Sequence, residues 1–221
     1  MTVLTSSFQD WITRQSPPRP GLVPKSGDWN APDRWILPHE TEHSKRQKIR
    51  QEAKEWLIEK FPQKDFTLEE KKALTAYITG VSYISINNAL RSNAAWPRPS
   101  VVEGLDSLFH KAMTSEDIVV YRGLQTYDGD LQSGDILYDK GFVSTSIVRS
   151  IAEVFSASGA SNKFLILEIF VPKNSPATRG ELHELEVVLP RDSEFIVENV
   201  HVHPDRSNTT IVRVRMKAKN A

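Results

Sequence analysis

The chain has 221 residues, enough to bury one substantial core and too few for two large ones. Its 28 Lys and Arg balance 28 Asp and Glu, so no chain-wide positive field draws it to nucleic acid. It has no cysteine, which excludes disulfides, thiol nucleophiles and Cys-based zinc sites.

The first segment, MTVLTSSFQDWITRQ, lacks a basic stretch followed by an apolar run, so no Sec signal is expected. No apolar run reaches membrane-spanning length, and a soluble protein is expected. Six of the 13 prolines fall between Pro17 and Pro38, among Trp11, Trp29 and Trp35. Proline fixes φ and removes a donor, which excludes a long helix or central strand there. Large indole rings call for burial, so residues 1–40 read as an extended arm laid partly over the domain, with a delivery leader as the alternative.

The domain is expected over 41–221, with a helical lobe at about 41–114 and a β core at about 115–218. From Glu42 to about Phe61, Ile49, Ala53, Trp56 and Leu57 mark the apolar stripe of an amphipathic helix. Thr67-Leu-Glu-Glu70 is a capping-box pattern that starts a second helix, lined by Leu74, Tyr77, Ile78 and Val81. Gly80 breaks or kinks it, and a third segment runs from about Ser82 to Arg91. The turn at Trp96 precedes a fourth helix over Val101–Met113, with Val101, Val102, Leu105, Leu108 and Phe109 apolar.

After Ser115 short β-branched runs take over: Ile118–Tyr121, Ile136–Tyr138 and Gly141–Ser146. A helix at about Val148–Ser156 interrupts them. Strands are predicted again at Phe164–Val171, Leu185–Leu189, Glu194–Val197 and Thr210–Met216. Helices first and strands later indicate an α+β fold.

Three strings in the second half carry candidate chemistry. On a strand, Glu184 and Glu186 would project to one face, and paired carboxylates tune one another toward proton transfer. Taken alone, the pair fits a solvated strand face better than a site. Ser144-Thr-Ser146 puts two hydroxyls on one face, able to orient a neighbouring carboxylate or simply to tie strands together. Arg122 ends an apolar run beside Gly123 and suits a diphosphate or carboxamide ligand, or a surface salt bridge. The six histidines show no metal spacing, and His201 and His203 lack a third ligand.

Together and in this order, the strings resemble the R-S-E class of mono-ADP-ribosyltransferases, which contains the clostridial actin-modifying binary toxins and related bacterial effectors. The resemblance spans about residues 70–217. It rests on YRG at 121–123, GFVSTS at 141–146 and ELEVVLPRDSEF at 184–195. The segment Tyr83–Arg91 resembles the family's tyrosine-to-asparagine helix, and Phe155 stands eleven residues after Ser144.

The resemblance implies a fold in which the N-terminal helices pack on a mixed, largely antiparallel core of two small sheets around an NAD⁺ cleft. It implies that Arg122 grips the NAD⁺ diphosphate and ribose, and that the Gly123 backbone holds the carboxamide. Ser144 would orient Glu186, with Thr145 and Ser146 supporting the strand. Phe155 would pack on the nicotinamide ring, with Tyr83 and Asn87 bordering the cleft. Glu186 would bind the ribose 2′-OH and stabilise the oxocarbenium-like centre, while Glu184 would draw the proton from the acceptor. Relatives with Glu at the first position of this pair modify arginine. The loop before Glu184 has no aromatic, leaving Arg179, Glu181 and His183 as target-recognition candidates. Gly141 and Ser158 stand where some relatives carry NAD⁺ contacts.

The expected activity is NAD⁺-dependent mono-ADP-ribosylation of arginine on a target protein, with no metal. A toxin or effector, secreted or injected to act in the target-cell cytoplasm, fits this, and an immunity or chaperone protein is a conceivable partner. Rival readings are an NAD⁺ glycohydrolase, a transferase acting on nucleic acid or a small molecule, and a non-catalytic binding module.

Overall fold

The computed structural model describes residues 35, 42–79, 82–124, 131–157, 164–204 and 206–218. Apart from Trp35, the expected arm lies outside the described residues, as do Gly80, Val81 and Ser158. Trp35 is half-buried, with its ring 6.4 Å from that of Trp56.

Helix α1 (His43–Lys60) buries Ala53 and Leu57 against the sheet, and Trp56 is half-buried beside them. Helix α2 (Leu68–Ile78) begins at the expected capping box. Thr67 Oγ1 accepts the Glu70 amide at 3.2 Å, and the Glu70 carboxylate accepts the Thr67 amide at 2.8 Å. Such a cap contributes about 1 kcal/mol. Glu70 also accepts bonds from Ser107 and Lys111, tying α2 to the end of the fourth helix. Burial acts to raise its pKa, but Lys111, the Thr67 amide and Ser107 outweigh it and hold the carboxyl at about 2.

Helix α3 (Ser82–Ser92) buries Ile86, Asn87, Ala89 and Leu90. Helix α4 (Pro99–Phe109) opens with proline in its first turn, where the missing N–H has no helical partner to lose. It ends at Phe109 and not at Met113: the chain turns through His110 and Lys111, and Met113 forms an isolated bridge with Pro176. Helices α2 to α4 close over an apolar cluster that also takes Phe142 and Val188 from the β half.

The strands are β1 (Ile118–Leu124), β2 (Ile136–Asp139), β3 (Val143–Ser146), β4 (Phe164–Val171), β5 (Thr178–Arg179), β6 (Glu186–Leu189), β7 (Ser193–His203) and β8 (Arg206–Met216), with helix α5 (Arg149–Ala157) between β3 and β4. Their order is β2-β7-β8-β4-β1-β3-β6-β5; β4 and β8 run parallel and the other pairs antiparallel. The ladder is therefore one mixed sheet of eight strands, and the two small packed sheets expected are its two halves. Strands β1 and β3 join the two halves through the single register pair Tyr121–Ser146. Both halves contribute to one buried cluster, Leu137, Phe195 and Val212 from one and Val143, Val187 and Leu189 from the other.

Strand β6 lies between the two apolar clusters. Val187 and Leu189 enter the cluster shared with α1, and Val188 enters the helical one, which is why all four of its residues are buried. Glu186 shares the face of Val188. Glu184, expected on this strand, is not in it. Leu185 adopts φ 51°, a left-handed conformation that breaks the two-residue alternation, and residues 182–185 form a turn.

Candidate active site

A cavity of about 530 Å³ opens between α3, α5 and strands β1, β3 and β6. Ten sequence-selected residues line it: Arg122, Gly123, Ser144, Thr145, Ser146, Phe155, Tyr83, Asn87, Glu184 and Glu186. Its size suits a ligand of cofactor dimensions.

Arg122 lies near the end of β1 and donates from Nη1 to the Ser144 carbonyl at 3.1 Å. Burial pushes its pKa down, Asp139 counters this, and Arg91 adds repulsion. A guanidinium remains charged regardless, so the wall carries a fixed, desolvated cation. Gly123 has a packing reason that the sequence did not disclose. A Cβ there would stand 1.9 Å from the Ala152 carbonyl oxygen, so the missing side chain lets α5 lie directly on β1.

Strand β3 presents its hydroxyls in three ways. Register pairs Ser146 with Glu186 and Ser144 with Val188, so both serines share the face of Glu186. Ser144 stands beside the Glu186 carboxylate and acts to lower its pKa. Ser146 Oγ donates to the Glu184 carbonyl at 2.9 Å, holding the turn rather than a carboxylate. Thr145 Oγ1 donates to the Val187 carbonyl at 2.6 Å.

The turn before β6 is fastened on several sides. Arg50 of α1 donates to the His183 carbonyl, Ile147 N–H to the Leu185 carbonyl, and Gly180 N–H to the Glu186 carbonyl. Within it, Glu186 Oε2 accepts the Glu181 amide at 2.8 Å. A Cβ on Gly180 would come within 2.1 Å of that same oxygen. Glu186 is 6% exposed, and burial raises its pKa. The Glu181 amide and Ser144 oppose the shift, while the charges of Glu184 and Glu181 add to it. Among the described residues no cation is in salt-bridge contact with it. The two glutamates thus meet at one cavity through a turn, not through strand alternation.

Asn87 lines the cavity but its amide is occupied. Oδ1 accepts the Phe142 N–H at 2.9 Å, and Nδ2 donates to the Phe142 carbonyl at 3.1 Å and to Tyr77 Oη at 3.0 Å. It clamps the β2–β3 connection. Tyr83 and Phe155 stand exposed at the rim, and the Tyr83 ring meets that of Tyr77 edge-on at 6.4 Å. Tyr77 and Arg91, which no sequence motif assigned to the site, also line the cavity, as do the target-recognition candidates Glu181 and His183. Arg91 forms a two-point pair with buried Asp139, at 2.9 and 3.0 Å. Sequence could register these residues as helix or loop positions, but their meeting depends on long-range pairing. Gly141 packs against Asn87 and Arg91.

Among the described residues, no group of three or more His, Cys, Asp or Glu could hold a metal ion, and no helix is long and apolar enough to cross a membrane.

The family model for the ADP-ribosyltransferase exoenzyme matches residues 45–219. The chain is 27% identical over 136 residues to the NAD(+)--arginine ADP-ribosyltransferase EFV of Enterococcus faecalis, covering 58% of this chain and 27% of that protein. It therefore spans about a quarter of that relative's length. It is 25% identical over 190 residues to Mono-ADP-ribosyltransferase C3 of Hathewaya limosa, covering 72% of this chain and 74% of the relative. The Vis ADP-ribosyltransferase of Vibrio splendidus, solved in complex with agmatine, superposes with a TM-score of 0.61 at 19% identity, covering 83% of this chain and 89% of Vis. At that identity the likeness concerns the fold.

Proposed function

The chain belongs to the ADP-ribosyltransferase exoenzyme family, mono-ADP-ribosyltransferase toxins that use NAD⁺ as substrate, and from that premise we propose that it transfers ADP-ribose to arginine of a target protein. The observation that carries the reading is the convergence of Glu184 and Glu186 with Arg122 on one cavity, with Glu186 buried.

The chemistry follows from charge. When the bond between ribose C1 and the nicotinamide nitrogen breaks, its electron pair leaves with nicotinamide, and positive charge develops on the ribose. Glu186, held by the Glu181 amide and with Ser144 beside it, stabilises that charge and binds the 2′-OH. Arg122 holds the diphosphate, the Gly123 backbone the carboxamide, and Phe155 packs on the nicotinamide ring. Tyr83 borders the cleft. Asn87 acts through its clamp on Phe142, which sets the position of β3.

An acceptor guanidinium carries no free lone pair at neutral pH, so its attack on C1 requires a base. Glu184, on the turn at the cavity, takes that proton. Glu at this position, the arginine in the printed name of the Enterococcus relative, and agmatine (a small guanidine) bound to Vis all support arginine as acceptor. The acceptor protein belongs to another cell, in keeping with the toxin family.

Incubation with labelled NAD⁺ and agmatine tests this. Nicotinamide release together with labelled agmatine is expected. Release without transfer to agmatine or to lysate proteins would leave a glycohydrolase. If NAD⁺ stays intact, the enzymatic reading is wrong.

A further inference from the structure

We propose that Arg50 of α1 is a positioning residue for the transfer step: by holding the His183 carbonyl it fixes the peptide plane that leads into Glu184, and so sets where that carboxylate meets the acceptor. The inference rests on the role proposed above for Glu184.

Helix α1 is rich in Lys and Arg, and Lys45 and Lys48 pair with near neighbours along the chain, Glu42 and Glu52. Arg50 behaves differently. It stands three and seven residues before Ala53 and Leu57, hence on the face that α1 buries, and is itself half-buried. That face packs into the same apolar cluster as Leu185 and Val187, with Leu182 against it. The guanidinium is thereby carried to the turn before β6, where Nη2 donates to the His183 carbonyl. A second contact comes from the same stretch of chain. Gln63, just after α1, donates from Nε2 to the Arg179 carbonyl at 3.1 Å.

A peptide unit is planar, so holding its carbonyl also holds the Cα that follows. The Arg50 bond fixes the plane joining His183 to Glu184. On the far side, Ser146 Oγ donates to the Glu184 carbonyl at 2.9 Å, and the Leu185 amide donates to the Leu182 carbonyl at 3.3 Å. These two bonds fix the plane joining Glu184 to Leu185. With both planes set, the Cα–Cβ direction of Glu184 is set too, and only its side-chain torsions remain free.

Glu186 is held by other means. Its carboxylate accepts the Glu181 amide at 2.8 Å, its carbonyl accepts the Gly180 amide at 3.0 Å, and its amide donates to the Glu181 carbonyl at 3.1 Å. None of these bonds runs through His183. Loss of Arg50 therefore loosens the base that serves the acceptor and leaves in place the carboxylate that meets the ribose.

Arg50→Met removes the donor but keeps an unbranched, helix-forming stem along the buried face. Labelled NAD⁺ and agmatine are incubated together, and ADP-ribosyl-agmatine is compared with free ADP-ribose from the same reaction. A partly unfolded sample lowers both products by one factor and leaves their ratio alone. In Arg50→Met the ratio should fall roughly five- to tenfold, while nicotinamide release without agmatine changes by less than about twofold. Arg50→Lys should recover most of the ratio, because a single bond to a carbonyl does not need the planar fork of a guanidinium. Arg50→Met added to Glu184→Ala should not lower the ratio further, since both act through one carboxylate.

Backbone hydrogen exchange reads the brace without turnover. In Arg50→Met the Leu185 amide should exchange about tenfold faster, while the Val187 and Val188 amides, in a strand paired to both β3 and β5, keep their protection. An unchanged product ratio would overturn the inference, and so would unchanged exchange at Leu185. If the unaltered protein releases nicotinamide but labels neither agmatine nor lysate protein, arginine transfer is what fails. The Leu185 exchange rate then decides the brace by itself.

Discussion

Two buried glutamates on the same sheet meet opposite fates. Glu168, in the middle of β4, is 2% exposed, and Arg149 and Arg213 both pair with its carboxylate, the latter at 2.7 Å. Glu186, at the start of β6, is nearly as buried but is held by the Glu181 amide, and among the described residues no salt bridge reaches it. An ionised carboxylate out of water is costly unless paired. Glu168 is paired and ties β4, β8 and α5 together. Glu186 is left poised, its pKa raised by burial, which suits a group that must meet positive charge arriving with the substrate. The unpaired position marks the site more clearly than the acidity of the segment does.

Neutral isosteres should drive the two apart. Under its proposed role, Glu186→Gln should slow nicotinamide release by about 10³-fold or more, while unfolding in urea moves to equal or higher concentration by about 1 kcal/mol. Glu168→Gln should cost roughly 2–3 kcal/mol, because two arginines lose their shared partner. Loss of stability in the first variant and gain in the second would erase the contrast.

A smaller effect is expected at Gly180. An alanine Cβ would lie 2.1 Å from Glu186 Oε2, so the carboxylate must move. Gly180→Ala should reduce nicotinamide release by about 10²-fold and stability by only about 1–2 kcal/mol. A variant as active as the parent would show that the carboxylate tolerates displacement.

The smallest signal lies in the pH dependence of stability, where Glu186 and Glu70 should differ in sign. The folded-state pKa of Glu186 is raised, so its protonated form favours the fold. That contribution is present at low pH and fades as pH rises through the raised value. Glu70 is held at about 2, so its contribution is full above the ordinary value of 4.5 and is lost as pH falls toward 2. Thermal unfolding of Glu186→Gln should therefore gain on the parent as pH increases, and Glu70→Gln should lose to it. Parallel curves for both variants would remove the distinction.

Much of the helical lobe was legible because its signals are local. The capping box at Thr67 and Glu70 and the apolar spacing of α4 each fix an element from neighbouring residues alone, as does the apolar run of β4, broken only by Glu168. Strands β7 and β8 extend beyond their predicted limits: residues 206–208 of β8 are exposed and polar, with no apolar alternation to read, and the added half of β7 is held by its pairing with β8. Strand β5 is two residues long and exists through its pairing with β6. For Glu184 the expected alternation failed at Leu185, whose left-handed φ is sustained by bonds to distant residues.

By itself the sequence determined the α+β order, the helix starts and, through the ordered strings at Arg122, Ser144 and Glu184–Glu186, the family resemblance. Local propensity and the order of a few polar residues suffice for that. Only the tertiary structure decided that the sheet is one ladder, that Gly123 makes room for α5 and that Gly180 makes room for a carboxylate. It also decided that Glu186 stands buried, with no salt bridge to it among the described residues. Each of these depends on which remote residues come together, and close contact between segments far apart in the chain leaves no periodic trace within either one.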